Sequence, residues 1–457
     1  MISAPRRGRT ALGVAAGLAV LAGTVPLWTA NGGHVDSVTH FLLAVAVILV
    51  TCQALAALAR RAGQPPVLGE MVGGLLLGPT LLGALWPQGS AFLFAPPVLE
   101  GLDKAAQLGL VVFVFLLGCE LRTDRIARKG VVGAAVVGGM ALPYAAGVGI
   151  VLATGDLFAG PSTTSPVQTV VFVGLAMAVT ALPVLARILA DLGLERTGVG
   201  ALSMSAAAIG DGLAWLILAF LLAGQGAGDQ GWRIVLLATA LVLVTALCVR
   251  PLLVALVRRL GSSQSLTVVL IAGAIGYAVL TQSIQLHPVV GAFLFGVAVP
   301  RDSPAVERIG RQLEGFTLII LMPLFFAGVG LKMSVGLLGA NPVAWLVLAV
   351  VLVAAVATKV VGAGGAVRLA GLPADDALRF GFLMNCRGVT ELVVLTIGYQ
   401  AGLINQLAYT ILVLVAITTT AATAPLVRWS LRRSPDPARD EPPRPARPVE
   451  RADTAQD

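Results

Sequence analysis

The residue with the plainest capacity for chemistry is an aspartate in the middle of an apolar run. Asp211 lies within Ser203-Met-Ser-Ala-Ala-Ala-Ile-Gly-Asp-Gly-Leu-Ala-Trp-Leu-Ile-Leu-Ala-Phe-Leu-Leu-Ala223, a stretch of bilayer length with no other ionisable group. A lone charge at that depth costs about 2.5–3.5 kcal/mol on insertion scales, so it reads by default as part of a proton or cation pathway. The bland alternative is a structural hydrogen-bond acceptor held between helices. Three more ionisable residues sit deep in apolar segments: Lys359, Arg387 and Glu391. Arg387 and Glu391 are four apart, which places them on one face of a helix as a mutual ion pair. A role in shaping or gating a cation path is compatible with that pairing. Lys359 could neutralise a helix C-terminal end, pair with a carboxylate or carry a proton, and the first is the plainest. Glu70 and Glu120 are shallower. Glu70 opens an apolar helix, where a carboxylate complements the N-terminal dipole; a cytoplasmic cation entrance is the alternative.

These groups need elements that can hold them in a bilayer. The 457 residues are 57% hydrophobic and 12% charged, with a mean hydropathy of +0.91, far from the charge content of a soluble domain. The apolar runs suit helices of about 20 residues and lack the alternation of membrane-barrel strands. The fold class is therefore an all-α polytopic membrane protein of 13–14 transmembrane helices. The net charge of +8 collects at the ends of apolar runs and in the C-terminal tail. That is the positive-inside pattern, with no nucleic-acid partner implied. Four scattered cysteines and three scattered histidines offer neither a disulfide framework nor a transition-metal motif. No soluble-enzyme motif and no Walker A sequence is present, which points away from an enzyme, from a cofactor and from ATP-driven transport.

Breaking the chain at Gly, Pro and charge clusters predicts spans at 10–30, 37–61, 66–86, 104–122, 129–154, 168–190, 195–223, 232–260, 264–282, 286–300, 310–332, 340–369, 376–402 and 405–431. Alternate connections then sort by charge. Lys104, Arg233 and Lys332 fall on one side and nearly all other Lys and Arg on the opposite side, so both termini are expected in the cytoplasm, with the chain in the inner membrane. Residues 10–30 could be a secretory signal peptide, but Trp28 disrupts a small-x-small cleavage site before Ala30, which favours retention. The Pro/Arg/Asp-rich stretch 434–457 reads as a disordered tail.

A repeat is visible within this series. Val72-Gly-Gly-Leu-Leu-Leu-Gly78 recurs as Val290-Gly-Ala-Phe-Leu-Phe-Gly296, and Phe115-Leu-Leu-Gly-Cys-Glu-Leu-Arg122 as Phe325-Phe-Ala-Gly-Val-Gly-Leu-Lys332, at offsets of 218 and 210. The copies stand seven spans apart, and an odd separation reverses their orientation. Chance likeness of small-residue helices is the alternative. Inverted repeats are a transporter signature and place an ion site where paired helices are interrupted. The implied organisation is an N-terminal cytoplasmic end with an extra helix (1–36), a six-helix repeat (37–223), a linker helix (224–262), an inverted second repeat (263–433) and the tail (434–457). The sixth span contains Val179-Thr-Ala-Leu-Pro183, where Pro183 removes a backbone donor. Its partner, the thirteenth, contains Met384-Asn-Cys-Arg-Gly-Val-Thr390, including Asn385. Both are expected to be discontinuous and to cross near Asp211.

The segments Gln64-Pro-Pro-Val-Leu-Gly-Glu-Met-Val-Gly-Gly-Leu-Leu-Leu-Gly-Pro79, Ala178-Val-Thr-Ala-Leu-Pro-Val184, Ser205-Ala-Ala-Ala-Ile-Gly-Asp-Gly-Leu-Ala-Trp215, His287-Pro-Val-Val-Gly-Ala-Phe-Leu-Phe-Gly296 and Gly381-Phe-Leu-Met-Asn-Cys-Arg-Gly-Val-Thr-Glu-Leu392 together resemble the monovalent cation:proton antiporters, in the branch of Kef-type and plant cation/proton exchangers. The resemblance covers about residues 40–430. It implies a homodimer with a dimerisation domain and a mobile core, and exchange of H⁺ for Na⁺ or K⁺ by alternating access. It also implies that Asp211 binds proton and cation in turn, that Thr180 helps coordinate the ion, and that Lys359 and Arg387 are the basic positions of the core.

Two departures accompany the resemblance. The family usually places Asn, Asp or Gln before the essential aspartate, whereas this chain has Gly210. A single carboxylate implies electroneutral exchange. Kef-type relatives often carry a cytoplasmic nucleotide-binding domain, and the sequence after Arg433 is expected to form none. The rival readings are a cation channel or uniporter on the same scaffold and, remotely, an intramembrane aspartyl protease. For the protease, Ala208-Ile-Gly-Asp211 lacks the first glycine of Gly-x-Gly-Asp and no second aspartate lies at like depth.

Overall fold

The computed structural model describes residues 36–120, 129–161, 166–195, 197–223, 231–261, 263–284, 286–300, 303–339 and 341–433. The predicted first span (10–30) and tail (434–457) lie outside them.

The described chain is helical apart from its turns and a single isolated bridge, Ala159 to Ile404. In order the helices are α1 (Ser37–Arg61), α2 (Pro66–Leu77), α3 (Leu82–Leu85), α4 (Pro87–Leu93), α5 (Pro96–Glu120), α6 (Lys129–Thr154), α7 (Pro166–Ala178), α8 (Leu182–Leu192), α9 (Gly198–Ala223) and α10 (Gly231–Val244). There follow α11 (Arg250–Leu260), α12 (Gln264–Ser283), α13 (Pro288–Ala298), α14 (Pro304–Phe316), α15 (Met322–Lys332), α16 (Pro342–Thr358), α17 (Gly365–Leu369), α18 (Ala374–Leu383), α19 (Val389–Gln400) and α20 (Gln406–Arg433). Wider π-turns at Thr245–Val249, Thr317–Leu321 and Lys359–Gly364 join α10 to α11, α14 to α15 and α16 to α17.

Among the described residues, eleven helical stretches are long and apolar enough to cross a membrane. The short α13 and the paired half-helices α18 and α19 occupy the other two positions predicted between residues 37 and 431. The chain is thus a multi-pass membrane protein. Proline marks many of the starts: α2, α4, α8, α13, α14 and α16 carry it in their first two positions, where a missing N–H costs little.

One sequence expectation changes. The third span, expected as one helix over 66–86, is interrupted after Leu77 because Gly78 is extended and Pro79 follows; the short α3 and α4 come next. At the sixth span the expected interruption is present, and Pro183 has a definite place in it. It occupies the first turn of α8, after a non-helical Val179-Thr-Ala181.

The repeated segments pack on each other crosswise. Gly74 of α2 and Gly78 just beyond its end meet the backbone of α15 at Phe326 and Gly330, and Gly330 meets Gly74 in return. Gly118 of α5 meets α13 at Phe293 and Gly296, while Gly296 meets Phe115. Each half's first motif therefore seats on the other half's second motif. Gly138 of α6 and Gly362 of the π-turn form a third reciprocal contact. In lipid, such close backbone approach supplies dispersion contacts that hydrophobic burial cannot.

Gly330→Val is therefore expected to cut the yield of folded, monodisperse protein severely, because its Cβ would meet the Gly74 backbone and no side chain can yield. Gly149→Ala, where nothing lies within 4 Å of an added Cβ, should leave the yield unchanged. Size-exclusion profiles in detergent measure both.

Candidate functional site

The site is the place where two helices stop. α7 ends at Ala178 and α8 begins at Leu182; α18 ends at Leu383 and α19 begins at Val389. The two interruptions touch. The Ala181 N–H donates to the Cys386 carbonyl at 3.1 Å, and the Thr180 hydroxyl donates to the Met384 carbonyl at 3.0 Å. Irregular backbone at membrane depth survives only when buried in protein or lining a cavity, with its polar groups satisfied.

Both C-terminal ends are satisfied completely. A helix leaves its last four carbonyls without intrahelical partners. For α7, Leu175 O accepts from Val179 N, Ala176 O and Met177 O accept from the Arg387 guanidinium at 3.0 and 2.8 Å, and Ala178 O accepts from Lys359 Nζ at 2.6 Å. For α18, Phe380 O, Phe382 O and Leu383 O accept from the next backbone N–H groups, and Gly381 O accepts from Asn385 Nδ2 at 3.0 Å. The Thr420 hydroxyl reaches the break from α20, donating to Arg387 O at 2.6 Å and accepting from Arg387 N at 3.0 Å. Cations at a C-terminal end also oppose the helix dipole favourably.

Lys359, 0% exposed, uses all three of its donors on Gly139 O (2.9 Å), Ala178 O (2.6 Å) and Thr180 Oγ1 (2.7 Å). The first residue of the Lys359–Gly364 π-turn thus ties α6, α7 and the first break together, with no donor to spare for a carboxylate. Arg387 is fully buried and pairs with Glu391 as the spacing predicts, but not on one helical face. Arg387 precedes α19 and Glu391 lies in its first turn, where an acidic group complements the N-terminal dipole. One Glu391 oxygen, Oε2, has no hydrogen-bond partner.

Asp211 reaches this crossing from the middle of α9. It is 1% exposed, and its Oδ2 accepts from the Leu182 N–H that starts α8, at 3.4 Å. A carboxylate at a helix N-terminus is favourably placed. Its other oxygen, Oδ1, has no hydrogen-bond partner. Gly210 beside it has Met140 Sδ 3.7 Å from an added Cβ, so the glycine is not forced by crowding.

Glu70 stands apart from this cluster, buried in the wall of a cavity of about 640 Å³. Arg60, Gln53, Arg187 and Glu314 line the same cavity, which ends at Pro183, Val184 and Val389, next to Leu182 and Thr390. The cavity thus runs from the arginine-rich face to the crossing. At the opposite end α20 is hydrogen-bonded across: Gln406 Nε2 donates to Lys332 O at 2.9 Å, and Ser334 N to Thr410 Oγ1 at 3.2 Å.

The sequence-predicted residues thus separate into three places. Thr180, Lys359, Asn385, Arg387, Glu391 and Pro183 build the crossing, Asp211 faces it, and Glu70 lies in the cavity wall. Thr420 and Thr390 were not singled out from the sequence. Thr420 sits in a run of threonines, Thr418-Thr-Thr420, at the middle of an apolar helix, the one signal that could have marked it.

The sequence profile of the family described as "Sodium/hydrogen exchanger, transmembrane" matches residues 12–429. Cation/H(+) antiporter 20 of Arabidopsis thaliana is 36% identical over 414 residues, 84% of this chain and 48% of that protein. The Na(+)/H(+) antiporter NhaS4 of Synechocystis sp. is 33% identical, covering 84% of this chain and 95% of that one. K(+)/H(+) antiporter 1 of Saccharomyces cerevisiae is 31% identical over 87% of this chain and 47% of its own length. The chain spans about half the length of the plant relatives it matches. Among solved structures, the sodium proton antiporter MjNhaP1 from Methanocaldococcus jannaschii at pH 8 superposes with a TM-score of 0.65, covering 87% of this chain and 98% of that one at 14% identity, a likeness of fold. With the family's profile matched across nearly the whole chain, and with an interrupted-helix crossing around a buried aspartate, this protein belongs to the sodium/hydrogen exchanger family of monovalent cation:proton antiporters.

Proposed function

We propose that the protein is a secondary active antiporter that exchanges Na⁺ or K⁺ for H⁺ by alternating access around Asp211. The observation that carries this reading is the state of that carboxylate: buried, held through one oxygen by the start of α8, and with its other oxygen unengaged. The group can take up a proton or a partly dehydrated cation there, but not both.

Either load brings the carboxylate close to neutral, and a neutral site crosses a low-dielectric layer far more readily than a bare charge. A single exchanging carboxylate carries one proton or one monovalent cation, which makes the exchange electroneutral. The full engagement of Lys359 by neutral acceptors supports that stoichiometry, because the lysine need not gain or lose a proton to balance Asp211.

Residues 37–223 and 263–433 act as inverted repeats joined by the linker helix, and two copies of the chain form a dimer. The crosswise glycine contacts support the first statement. The cavity on the arginine-rich face supports a cytoplasm-facing state, with Glu70 at the entrance and the hydrogen bonds of Gln406 and Thr410 closing the far side. No cofactor enters the cycle, since the ion gradients supply the free energy.

Purified protein in liposomes, loaded with a pH-sensitive dye and challenged with Li⁺, Na⁺, K⁺ and Rb⁺, tests this reading. Proton movement is expected with Na⁺ or K⁺ and should be insensitive to a clamped membrane potential. Current without obligatory proton counterflow would identify a channel instead.

A further inference from the structure

Four oxygens stand around the crossing without hydrogen bonds: Asp211 Oδ1, Thr390 Oγ1, Asn385 Oδ1 and Glu391 Oε2. Of these, the Thr390 hydroxyl lies beside the Asp211 carboxylate. Thr390 is 0% exposed and lies in the first turn of α19, one residue from the end of the cavity. A buried hydroxyl normally finds a partner, and the Asp211 carboxylate beside it has one oxygen, Oδ1, that lacks a partner as well.

The other hydroxyl at the site is already spent. Thr180 donates its proton to Met384 O and receives the Lys359 ammonium at 2.7 Å. An oxygen holding an ammonium group is a poor ligand for a second cation, because the like charges would lie within a few ångströms of each other. Thr390 carries no such burden.

A hydroxyl offers one donor and two acceptor positions and rotates to suit its partner. It can therefore accept the O–H of a protonated Asp211. With the proton gone, it can turn its lone pairs toward a small hard cation held by the carboxylate. Oxygen ligands suit such cations.

We propose that Thr390 Oγ1 is the second oxygen of the exchange site, accepting the proton of Asp211 in one load and coordinating the monovalent cation in the other. This rests on the reading of Asp211 as the exchange site. Thr180, by contrast, positions the break through Lys359 and Met384.

The test compares Thr390→Val, Thr390→Ser and Asp211→Asn in reconstituted liposomes, reading the half-saturating cation concentration and the relative rates with Li⁺, Na⁺, K⁺ and Rb⁺. Val keeps the shape and removes the oxygen; Ser keeps the oxygen. Thr390→Val is expected to raise the half-saturating concentration about tenfold, the scale of one lost interaction with a charged group. It should also change the order of preference among the cations, whereas Thr390→Ser stays within about twofold of the native protein, well below that loss.

Thermal unfolding in detergent accompanies each variant. If Thr390→Val does not fold, Thr390→Ala against Thr390→Ser provides the same comparison. Native half-saturation and an unchanged cation order in the variant lacking the oxygen overturn the proposal. Exchange that persists in Asp211→Asn overturns the reading beneath it. An inactive Asp211→Asn beside a Thr390→Val of native cation dependence removes Thr390 alone.

Discussion

Asp211→Asn is expected to abolish cation-dependent proton movement in inverted membrane vesicles while leaving a folded protein of native yield. The reason lies in what the substitution keeps. An asparagine amide oxygen can still accept from the Leu182 N–H that Oδ2 accepts from now, so the start of α8 retains its partner. The side chain has nearly the same volume, and the unengaged oxygen position could be taken by the amide nitrogen beside the Thr390 hydroxyl. What disappears is the ability to release a proton and to hold a cation by charge. Loss of exchange with an unchanged size-exclusion profile is the expected pair of results. Near-native fluorescence changes in the vesicles would refute the assignment of Asp211, and an aggregated protein would favour the structural acceptor as its role.

The second large effect falls on Arg387. Replacing one member of a fully buried ion pair strands the other charge, a loss of about 3–5 kcal/mol. Here the loss goes further, because the guanidinium also serves Ala176 O and Met177 O at the end of α7. Arg387→Met is expected to lose most of its folded yield and to lower the unfolding temperature more than any other single substitution in the crossing. Glu391→Gln should be milder, since the amide oxygen still accepts from Arg387 and the arginine keeps both carbonyls.

The double variant Arg387→Met/Glu391→Leu separates the two jobs. If only the ion pair mattered, an apolar pair of like size would restore stability, as it does elsewhere. The two carbonyls predict that rescue fails, because each would be buried with no donor. Thermal unfolding in one detergent, followed by intrinsic fluorescence across the set, distinguishes these outcomes.

The helical series was legible because lipid imposes one demand on every span: about 20 apolar residues with internal hydrogen bonding. The interruption after Ala178 was legible through Pro183 and the second through the polar run Asn385-Cys-Arg-Gly388. Proline acts differently at a helix start and in a helix interior, and only the backbone around Pro183 tells that it opens the second half-helix. The same limit applies to Arg387 and Glu391. Their spacing of four is also what a break followed by a first turn produces, so the pair formed while the helical face did not.

What sequence could not give was the choice of partner. Lys359 left three readings open, and its three acceptors come from residues about 180 to 220 positions away in the chain. Thr180 was marked as a hydroxyl beside one break, while Thr390 was only the end of the polar run at the other. Packing alone assigns the first to an ammonium and a carbonyl and leaves the second facing Asp211.

By itself, then, the chain determined a multi-helical membrane protein with two interrupted helices and one aspartate in the middle of an apolar span. Hydropathy, glycine and proline act locally, and local rules suffice for that. The tertiary structure decided which ends the cations cap, which oxygens they consume and which oxygen of Asp211 stays unengaged. Those outcomes depend on how helices from the two halves cross, and crossing geometry is fixed by close backbone packing between residues that no local pattern connects.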